Sequence, residues 1–366
     1  MRVLITNPYL IQRSGTEMYV CDLARALQKR GHWPIVFVYK TGPLADEIRR
    51  EGITVIDRLS DLPCVPDLIH GQGHQATWAA IHALKSTPAI YICHNHRHWI
   101  DTTPVHPRIM RYLGVSELCV ERLRREGAPA GEIGALLNWV DTQRFLPRAP
   151  LPERPRRALV FSNYARADTH LPAVQAACAQ ANLALDVVGL GVNNPTMHPE
   201  KLLPDYDVVF AKAKAAMEAM AVGAAVILCD FGGVGPMVTP ENFYRLQPLN
   251  FGFQALTQPL RPEFILQQLA LYDAKHAAQV RDLIVHTASL EARVDEMVEV
   301  YRQTVSDFHE EARGKESGSL RAYRRAMVVG ARSGLQNLGQ RLPPKFRNRL
   351  KQVTSVTRLA RRILPH

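Results

Sequence analysis

Short apolar runs alternate with amphipathic segments along the first half of the chain. In the first amphipathic segment, apolar residues recur at the spacing of one helical face: Val20, Leu23, Ala24 and Leu27. Further helices are predicted at 45–52 and at 117–127, the latter with Ser116 as its N-cap. The apolar runs predict buried strands: residues 2–6, 34–39, 53–56, 66–73, 89–93 and 111–116. Uninterrupted apolar strands between amphipathic helices are typical of parallel βαβ sheets.

Residues 146–157 are rich in Pro and Arg and have no periodicity, which predicts a domain boundary. After this boundary the alternation of strands and helices begins again, and three amphipathic helices follow up to residue 305. We therefore predict an α/β fold of two Rossmann-like domains whose parallel sheets face each other across a cleft. The predicted divisions are an N-terminal domain at 1–150, a C-terminal domain at 151–312 and a basic amphipathic tail at 313–366.

The charge of the chain is concentrated in that tail. The net charge is +11, and residues 313–366 hold 14 of the 45 Lys and Arg residues but only one of the 34 Asp and Glu residues. The body is nearly neutral, so nucleic acid is not a predicted partner. Basic residues interleaved with Leu, Val and Ile suit the surface of an anionic membrane, and a solvated extension or a packed helix is the alternative.

Composition also bears on the compartment. Six cysteines lie far apart with no CxxC pair, which indicates reduced core residues and a cytoplasmic protein. The N-terminus is too quickly polar for a signal peptide, and no apolar run approaches the length needed to span a bilayer. We expect a cytoplasmic location, with the tail allowing a peripheral position on the inner face of a membrane.

Five segments in order resemble glycosyltransferase family 4: SGTEMYVCDLARALQKRGH, PDLIHGQ, YICHNH, GVSELCVERLRREGAPAGEIGALLNWVDTQRFLP and AAMEAMAVGAAVILCDFGG. The resemblance implies the GT-B fold and sugar transfer from a nucleotide-sugar donor, usually with retention and without a metal. The donor is expected on the C-terminal domain, and a glycan or lipid-linked acceptor on the N-terminal one. Bacterial surface-polysaccharide synthesis is the implied setting.

Glu218 matches the second glutamate of the family's E-x7-E pattern, which implies a contact with the donor ribose. Its neighbours on the helix are Ala, Met and Val, and a helix that is apolar all round is usually buried. A buried carboxylate needs a partner, which a diol can supply. Eight residues earlier, where the family has its first glutamate, the chain has Phe210. Lys212 and Lys214 precede Glu218 at the helix start, where we expect them to bind the diphosphate or else to reach solvent.

The resemblance assigns further donor contacts to Gly15 and Thr16 at the start of the first helix, where backbone N–H groups are available. It also assigns Gly232 and Gly233 to a loop near the donor, and Arg166 is the only arginine available after the first strand of the second domain. For Gly15, a simple turn is the alternative interpretation.

His94 matches the histidine that the family places near the reacting sugar, and with Lys212 it is a candidate catalytic residue. His94, His96 and His98 alternate, which in a strand would suggest a zinc site. The segment has the character of a loop, and Asp101 is the only carboxylate at a supporting distance in the sequence, so we predict neither a metal nor another cofactor. The absent first glutamate leaves a second hypothesis, a degenerate GT-B protein that binds a nucleotide or glycan without catalysis.

Overall fold

The structure, a computed structural model, describes the backbone of residues 1–314 and the side chains of residues 1–310. The predicted basic tail therefore lies, from residue 315 onward, outside the described residues. Within residues 1–314, no helix is long and apolar enough to cross a bilayer.

Seven parallel strands form the first sheet, in the order β3-β2-β1-β4-β5-β6-β7. They are β1 (Arg2–Leu10), β2 (Trp33–Thr41), β3 (Thr54–Ile56), β4 (Leu68–Gln72), β5 (Ala89–Cys93), β6 (Ile109–Gly114) and β7 (Ile133–Ala135). The helices between them are α1 (Gly15–Lys29), α2 (Pro43–Arg50), α3 (His74–Ala83) and α4 (Glu117–Arg125). From β1 the chain forms β2 and β3 on one side of β1, and it then returns to form β4 on the other side. The carboxyl ends of β1 and β4 therefore flank a topological switch point.

The second sheet has five strands in the order β12-β11-β10-β8-β9. They are β8 (Arg157–Phe161), β9 (Ala184–Val188), β10 (Val208–Ala211), β11 (Ala225–Asp230) and β12 (Gly233–Met237). The helices of this half are α5 (Leu171–Gln180), α6 (Pro199–Leu202), α7 (Ala213–Val222), α8 (Pro240–Leu246), α9 (Pro262–Leu269) and α10 (Ala274–Ala288). Only β12 runs antiparallel to its neighbour, and β8 lies between β9 and β10 at a second switch point.

The expected α/β architecture with two mainly parallel sheets is present, although several details differ from the sequence prediction. A fourth helix, Leu290–Gly314, follows α8, α9 and α10, where three helices were predicted. Strand β1 continues to Leu10 instead of ending at Thr6, because the nine-residue β2 offers hydrogen-bonding partners along its whole length. Strands β7 and β12 were not predicted, since the first is three residues long and the second contains Gly and Pro. The predicted N-cap is confirmed, because Ser116 Oγ accepts a hydrogen bond from the Cys119 N–H.

The last described helix, α11 (Leu290–Gly314), packs against the first half of the molecule. Its side chains in the first core are Leu290, Val294, Met297, Val298 and Tyr301. The sequence grouped residues 290–305 with the second domain, but the apolar face of this helix finds its partners beside β5, β6 and α1. The chain thus crosses between the halves twice, and the domain divisions proposed from the sequence stay a prediction.

A buried hydrogen bond and surface ion pairs fix the position of α11. The Tyr301 hydroxyl lies 2.7 Å from His70 Nδ1 inside the first core. On the surface, Arg30 at the end of α1 contacts Glu291 and Asp295 at 2.7 Å each. We infer that burial of the helix contributes more than these pairs, because exposed ion pairs contribute little to stability.

We predict that Met297→Ala lowers the stability of the protein, because Met297 is fully buried and its truncation leaves a cavity. The expected loss in the free energy of unfolding is about 2–4 kcal/mol. Urea unfolding followed by tryptophan fluorescence measures it. The matched control is Glu299→Ala on the exposed face of the same helix, expected to change stability by less than about 0.5 kcal/mol. Equal effects of the two substitutions would contradict the packing of α11.

Candidate functional site

A cavity of about 250 Å³ lies between the two halves, at the switch points of both sheets. The first half contributes residues 12–15, which join β1 to α1. The second half contributes Asn163 after β8, residues 188–190 at the end of β9, residues 195–197, and one face of α7. Such a cleft at the carboxyl ends of parallel strands is the usual ligand site of open α/β sheets.

The start of α1 borders this cavity with a free helix end. Glu17 fixes the loop before the helix, because its Oε1 accepts hydrogen bonds from the N–H groups of Ile11 and Gln12, at 2.6 and 3.2 Å. Ser14 occupies the N-cap position, but its side chain makes no capping hydrogen bond. Gly15 is exposed, with no atom within 4 Å of where a Cβ would stand. Backbone N–H groups at this end are therefore accessible to an anion.

Glu218 is a buried carboxylate without a protein partner. It lines the cavity from α7, is 9% exposed, and within residues 1–310 it makes no hydrogen bond or ion pair. Burial raises the pKa of Glu218 to about 7, against the opposing effect of the nearby Lys214 ammonium. Because the buried carboxylate of Glu218 has no hydrogen-bonding partner, it can accept hydrogen bonds from a ligand that enters the cavity.

Lys214 lies one helical turn before Glu218 on the same face of α7. Its Nζ contacts Asp22 Oδ2 of α1 at 2.8 Å, so this ion pair joins the two halves across the cleft. Burial alone would lower the pKa of Lys214, but the carboxylates of Asp22 and Glu218 outweigh burial and raise it. Lys214 therefore remains an ammonium at the wall of the cavity.

Two arginines also line the cavity, and each has a carboxylate partner. Arg144 contacts Glu200 at 2.6 Å, and Arg13 contacts Glu47 at 3.0 Å. In both pairs the side chains are largely buried or half-buried, which holds each guanidinium in one orientation. With Lys214, three cations surround the space in front of Glu218.

Lys212 occupies a different environment from Lys214. It is the N-cap residue of α7, and its Nζ lies 3.2 Å from Asp230 Oδ2 at the end of β11. The ammonium sits between two aromatic rings, 4.9 Å from the Tyr164 centroid and 4.7 Å from the Phe253 centroid. Asp230 also accepts a hydrogen bond from Ser162 Oγ at 3.0 Å. Lys212 is thus paired beside the cavity rather than lining it, and its proposed phosphate and catalytic roles stay predictions.

Position 210 lies in the core rather than at the cleft. Phe210 belongs to β10, is fully buried and packs in the second half's core with Val160 and Ile227. Only Lys212 separates the end of β10 from the start of α7. The residue eight positions before Glu218 is therefore a core residue in this chain, and the one-residue connection leaves no loop there.

His94 follows β5 and is half-buried beside Tyr19, with the two ring centroids 4.4 Å apart. Its Nε2 is buried and has no hydrogen-bond partner in the protein. Burial, assisted by the Lys214 charge, lowers the pKa of His94 to about 3. The imidazole is therefore neutral near pH 7, and it can hydrogen-bond a hydroxyl but not supply positive charge.

The three alternating histidines do not share a site. His98 Nδ1 accepts a hydrogen bond from the Ile100 N–H, and the ring of His96 lies 6.4 Å from that of Phe253. Among residues whose side chains are described, no group of three His, Cys, Asp or Glu residues is placed to hold a metal ion.

The remaining predicted contacts lie outside the lining of the cavity. Thr16 is half-buried in the first turn of α1, and Arg166 is exposed on the loop after β8. Gly233 has φ +143°, and a Cβ there would lie 2.6 Å from the Gln258 carbonyl. A Cβ on Gly232 would lie 2.9 Å from the Phe253 ring. Local packing accounts for both glycines, and their donor contacts, like those of Thr16 and Arg166, stay predictions.

Sequence reasoning missed Asp22, Arg13 and Arg144. Asp22 is 192 positions from Lys214, and a polar residue on an amphipathic helix gives no sign of a partner so distant in sequence. Asp22 and Arg144 both lie within segments that carried the family resemblance, and this was the signal available for them.

No protein-family model and no curated protein sequence matches this chain. Several solved structures do. HepE from Anabaena, crystallised with UDP-glucose, is 14% identical with a TM-score of 0.62, covering 83% of this chain and 100% of HepE. Sucrose-phosphate synthase from Thermosynechococcus elongatus is 16% identical with a TM-score of 0.54, covering 84% of this chain and 99% of the synthase.

The catalytic domain of starch synthase IV from Arabidopsis thaliana, bound to ADP and acarbose, is 12% identical with a TM-score of 0.51. That match covers 83% of this chain and 99% of the starch synthase domain. At such identities the similarity establishes the fold alone. Together with the two parallel sheets, it shows that the chain has the GT-B fold.

We predict that Glu218→Gln changes how stability depends on pH. The folded-state pKa of about 7 lies above the ordinary 4.5, so Glu218 favours folding below pH 4.5 and this contribution is lost as pH rises through 7. Between pH 5 and 8, the wild type should lose about 2–3 kcal/mol of unfolding free energy relative to Glu218→Gln. Parallel urea titrations of both proteins measure the difference. A difference that does not vary with pH would contradict the raised pKa.

We predict that Lys212→Met lowers the unfolding free energy by about 3 kcal/mol, because it leaves the buried Asp230 carboxylate without its cation. The double variant Lys212→Met/Asp230→Asn should recover part of that loss, since no unpaired charge remains. Urea titration of both variants tests this. If the double variant is less stable than the single one, the ion pair is not what Lys212 contributes.

Proposed function

We propose that the protein transfers a sugar from a nucleotide-sugar donor to an acceptor, with the nucleotide in the cavity beside α7. The observation that carries this proposal is Glu218, a buried carboxylate without a protein partner that faces a cavity lined by three cations. In this proposal, the two hydroxyls of a ribose donate to Glu218. The neighbouring cations and the free end of α1 bind the diphosphate in the same proposal.

Bond cleavage between the sugar and the diphosphate places negative charge on the leaving oxygen. Cations and N–H groups that are already oriented stabilise this charge most in the transition state. The position of Lys214 at the cavity wall supports a role in stabilising this charge. The half-buried Arg13 and Arg144 add to the positive potential in the cavity. His94, neutral near pH 7, is proposed to hydrogen-bond a hydroxyl of the transferred sugar.

The neighbours' ligands support a nucleotide donor but leave its base open, since HepE was solved with UDP-glucose and starch synthase IV with ADP. Retention at the anomeric carbon and independence of a metal or other cofactor are parts of the proposal that rest on the resemblance to family 4. A glycan or lipid-linked acceptor and surface-polysaccharide synthesis also rest on that resemblance. A membrane contact through residues 313–366 rests on the basic residues interleaved with Leu, Val and Ile in that segment.

A second candidate function is nucleotide binding without transfer. The burial of Phe210 favours it, because the connection between β10 and α7 has no space for an acid that would face the donor sugar. Under this hypothesis the cavity keeps its nucleotide contacts, and the protein acts as a partner of an active transferase.

We predict that the full chain binds one of UDP, GDP, ADP and CMP selectively, and that Glu218→Ala weakens this binding about tenfold to a hundredfold. Loss of hydrogen bonds to a charged group has roughly that effect. Isothermal titration calorimetry measures it, with Glu263→Ala, exposed on α9, as the matched control. Absence of binding to any of the four nucleotides would refute the proposed function.

Turnover separates the two candidate functions. Incubation with UDP-glucose, GDP-mannose and ADP-glucose, followed by assay of nucleoside diphosphate and free sugar, tests whether a bound donor is cleaved, with water taking up the sugar in place of the acceptor. Release by the wild type that is lost in Glu218→Ala supports transfer. Selective nucleotide binding without any release supports the binding protein.

A further inference from the structure

Asp22 is the residue at this cleft whose role the proposed function leaves open. It lies in the middle of α1, is 5% exposed, and contacts Lys214 at 2.8 Å. A surface helix gains little from a buried aspartate, because desolvation of a carboxylate is costly unless an opposite charge compensates it. The Lys214 ammonium supplies that compensation, and it comes from the other half of the protein.

The three cations of the cavity differ in how they are paired. Arg13 and its partner Glu47 both belong to the first half of the chain. Arg144 and Glu200 come from the connecting segment and from the second half. Of these three pairs, only Lys214–Asp22 joins one wall of the cleft to the other. The position of Lys214 therefore depends on a carboxylate of the opposite wall.

A phosphate that binds Lys214 must compete with Asp22. Two anions that each lie about 2.8 Å from the same ammonium are separated by at most about 5.6 Å, and like charges at that distance repel strongly outside bulk water. Asp22 cannot move far, since it is buried on a helix that packs in the first core with Leu23 and Val20. A diphosphate would therefore weaken the contact between Asp22 and Lys214, and Asp22 would weaken the binding of the diphosphate.

We propose that Asp22 and the nucleoside diphosphate exchange the Lys214 ammonium. Asp22 holds the ammonium at the cavity wall, the diphosphate takes it over on binding, and Asp22 takes it back as the diphosphate leaves. Asp22 is thus a positioning residue that limits affinity for the diphosphate product and speeds its release. This inference rests on the proposed function, because it requires a diphosphate beside Lys214.

The exchange predicts opposite effects for the two partners of the pair. Asp22→Asn removes the competing charge and should tighten binding of the nucleoside diphosphate about tenfold, with slower dissociation. Lys214→Met should weaken the same binding. Affinity for the phosphate-free nucleoside should not change in Asp22→Asn, because the nucleoside carries no group that takes the ammonium. A general change in the shape of the cavity would alter the affinities of both ligands.

The experiment measures binding and dissociation of UDP, GDP and ADP, and of the three nucleosides, with the full chain. Calorimetry gives the affinities and stopped-flow displacement the dissociation rates. Asp46→Asn is the matched control, since it removes one exposed carboxylate from the first half without touching the cavity. Asp22→Ala serves as a second variant if Asp22→Asn fails to fold, because alanine suits a helix and also removes the charge.

The decisive comparison is made in the background of Lys214→Met. Without the ammonium, Asp22→Asn can relieve only the direct repulsion between Asp22 and the diphosphate, so the effects of the two substitutions on diphosphate affinity should not add. Additive effects of Asp22→Asn and Lys214→Met would overturn the exchange. So would an Asp22→Asn variant whose diphosphate affinity is unchanged or weaker, or whose nucleoside affinity changes equally.

The outcomes also separate this inference from the proposed function. If the wild type binds a diphosphate selectively but Asp22→Asn does not tighten the binding, only the exchange is refuted. If the wild type binds none of the diphosphates, the proposed function fails and the exchange fails with it.

Discussion

Charges that are removed from water need partners, and this requirement organises the cleft between the two sheets. Asp22, Lys214 and Glu218 are all largely buried, and the one ammonium pairs with Asp22 while its charge also acts on Glu218. The pair that is close enough to bond joins the two halves of the protein, while Glu218 is left without a partner. A site with an unpaired acid and a shared cation is incomplete by itself, and a ligand with hydroxyls and phosphates would complete it.

Lys212 and Lys214 both lie at the start of α7, but they have different partners. Lys212 is held by Asp230 and by the rings of Tyr164 and Phe253, so it fixes the short connection from β10 to α7. Lys214, two residues later, points to the opposite wall of the cleft. Because the connection is one residue long, the position of the first lysine determines where the second can lie. A fixed helix start is what a preorganised anion site requires.

Much of the fold followed from the sequence, because apolar strands and amphipathic helices have local signatures. The apolar run that became β5 and the serine that caps α4 were both predicted. Strand β12 and the extension of β1 were not, since each depends on a neighbouring strand rather than on its own apolar pattern. Helix α11 was predicted as a helix, but its amphipathic pattern could not identify which core would bury its apolar face.

The features of the candidate site also divide into those that the sequence predicted and those that depend on tertiary packing. The sequence by itself determined that Glu218 is an acid on an apolar helix, with two lysines at the start of that helix, because these are facts of local order. Only the tertiary structure decided that Lys214 faces the cavity, that Asp230 holds Lys212, and that Asp22 reaches Lys214 from 192 positions away. The physical reason is that ion pairing and burial depend on distances between elements, and those distances are fixed only when the two sheets and their helices pack together.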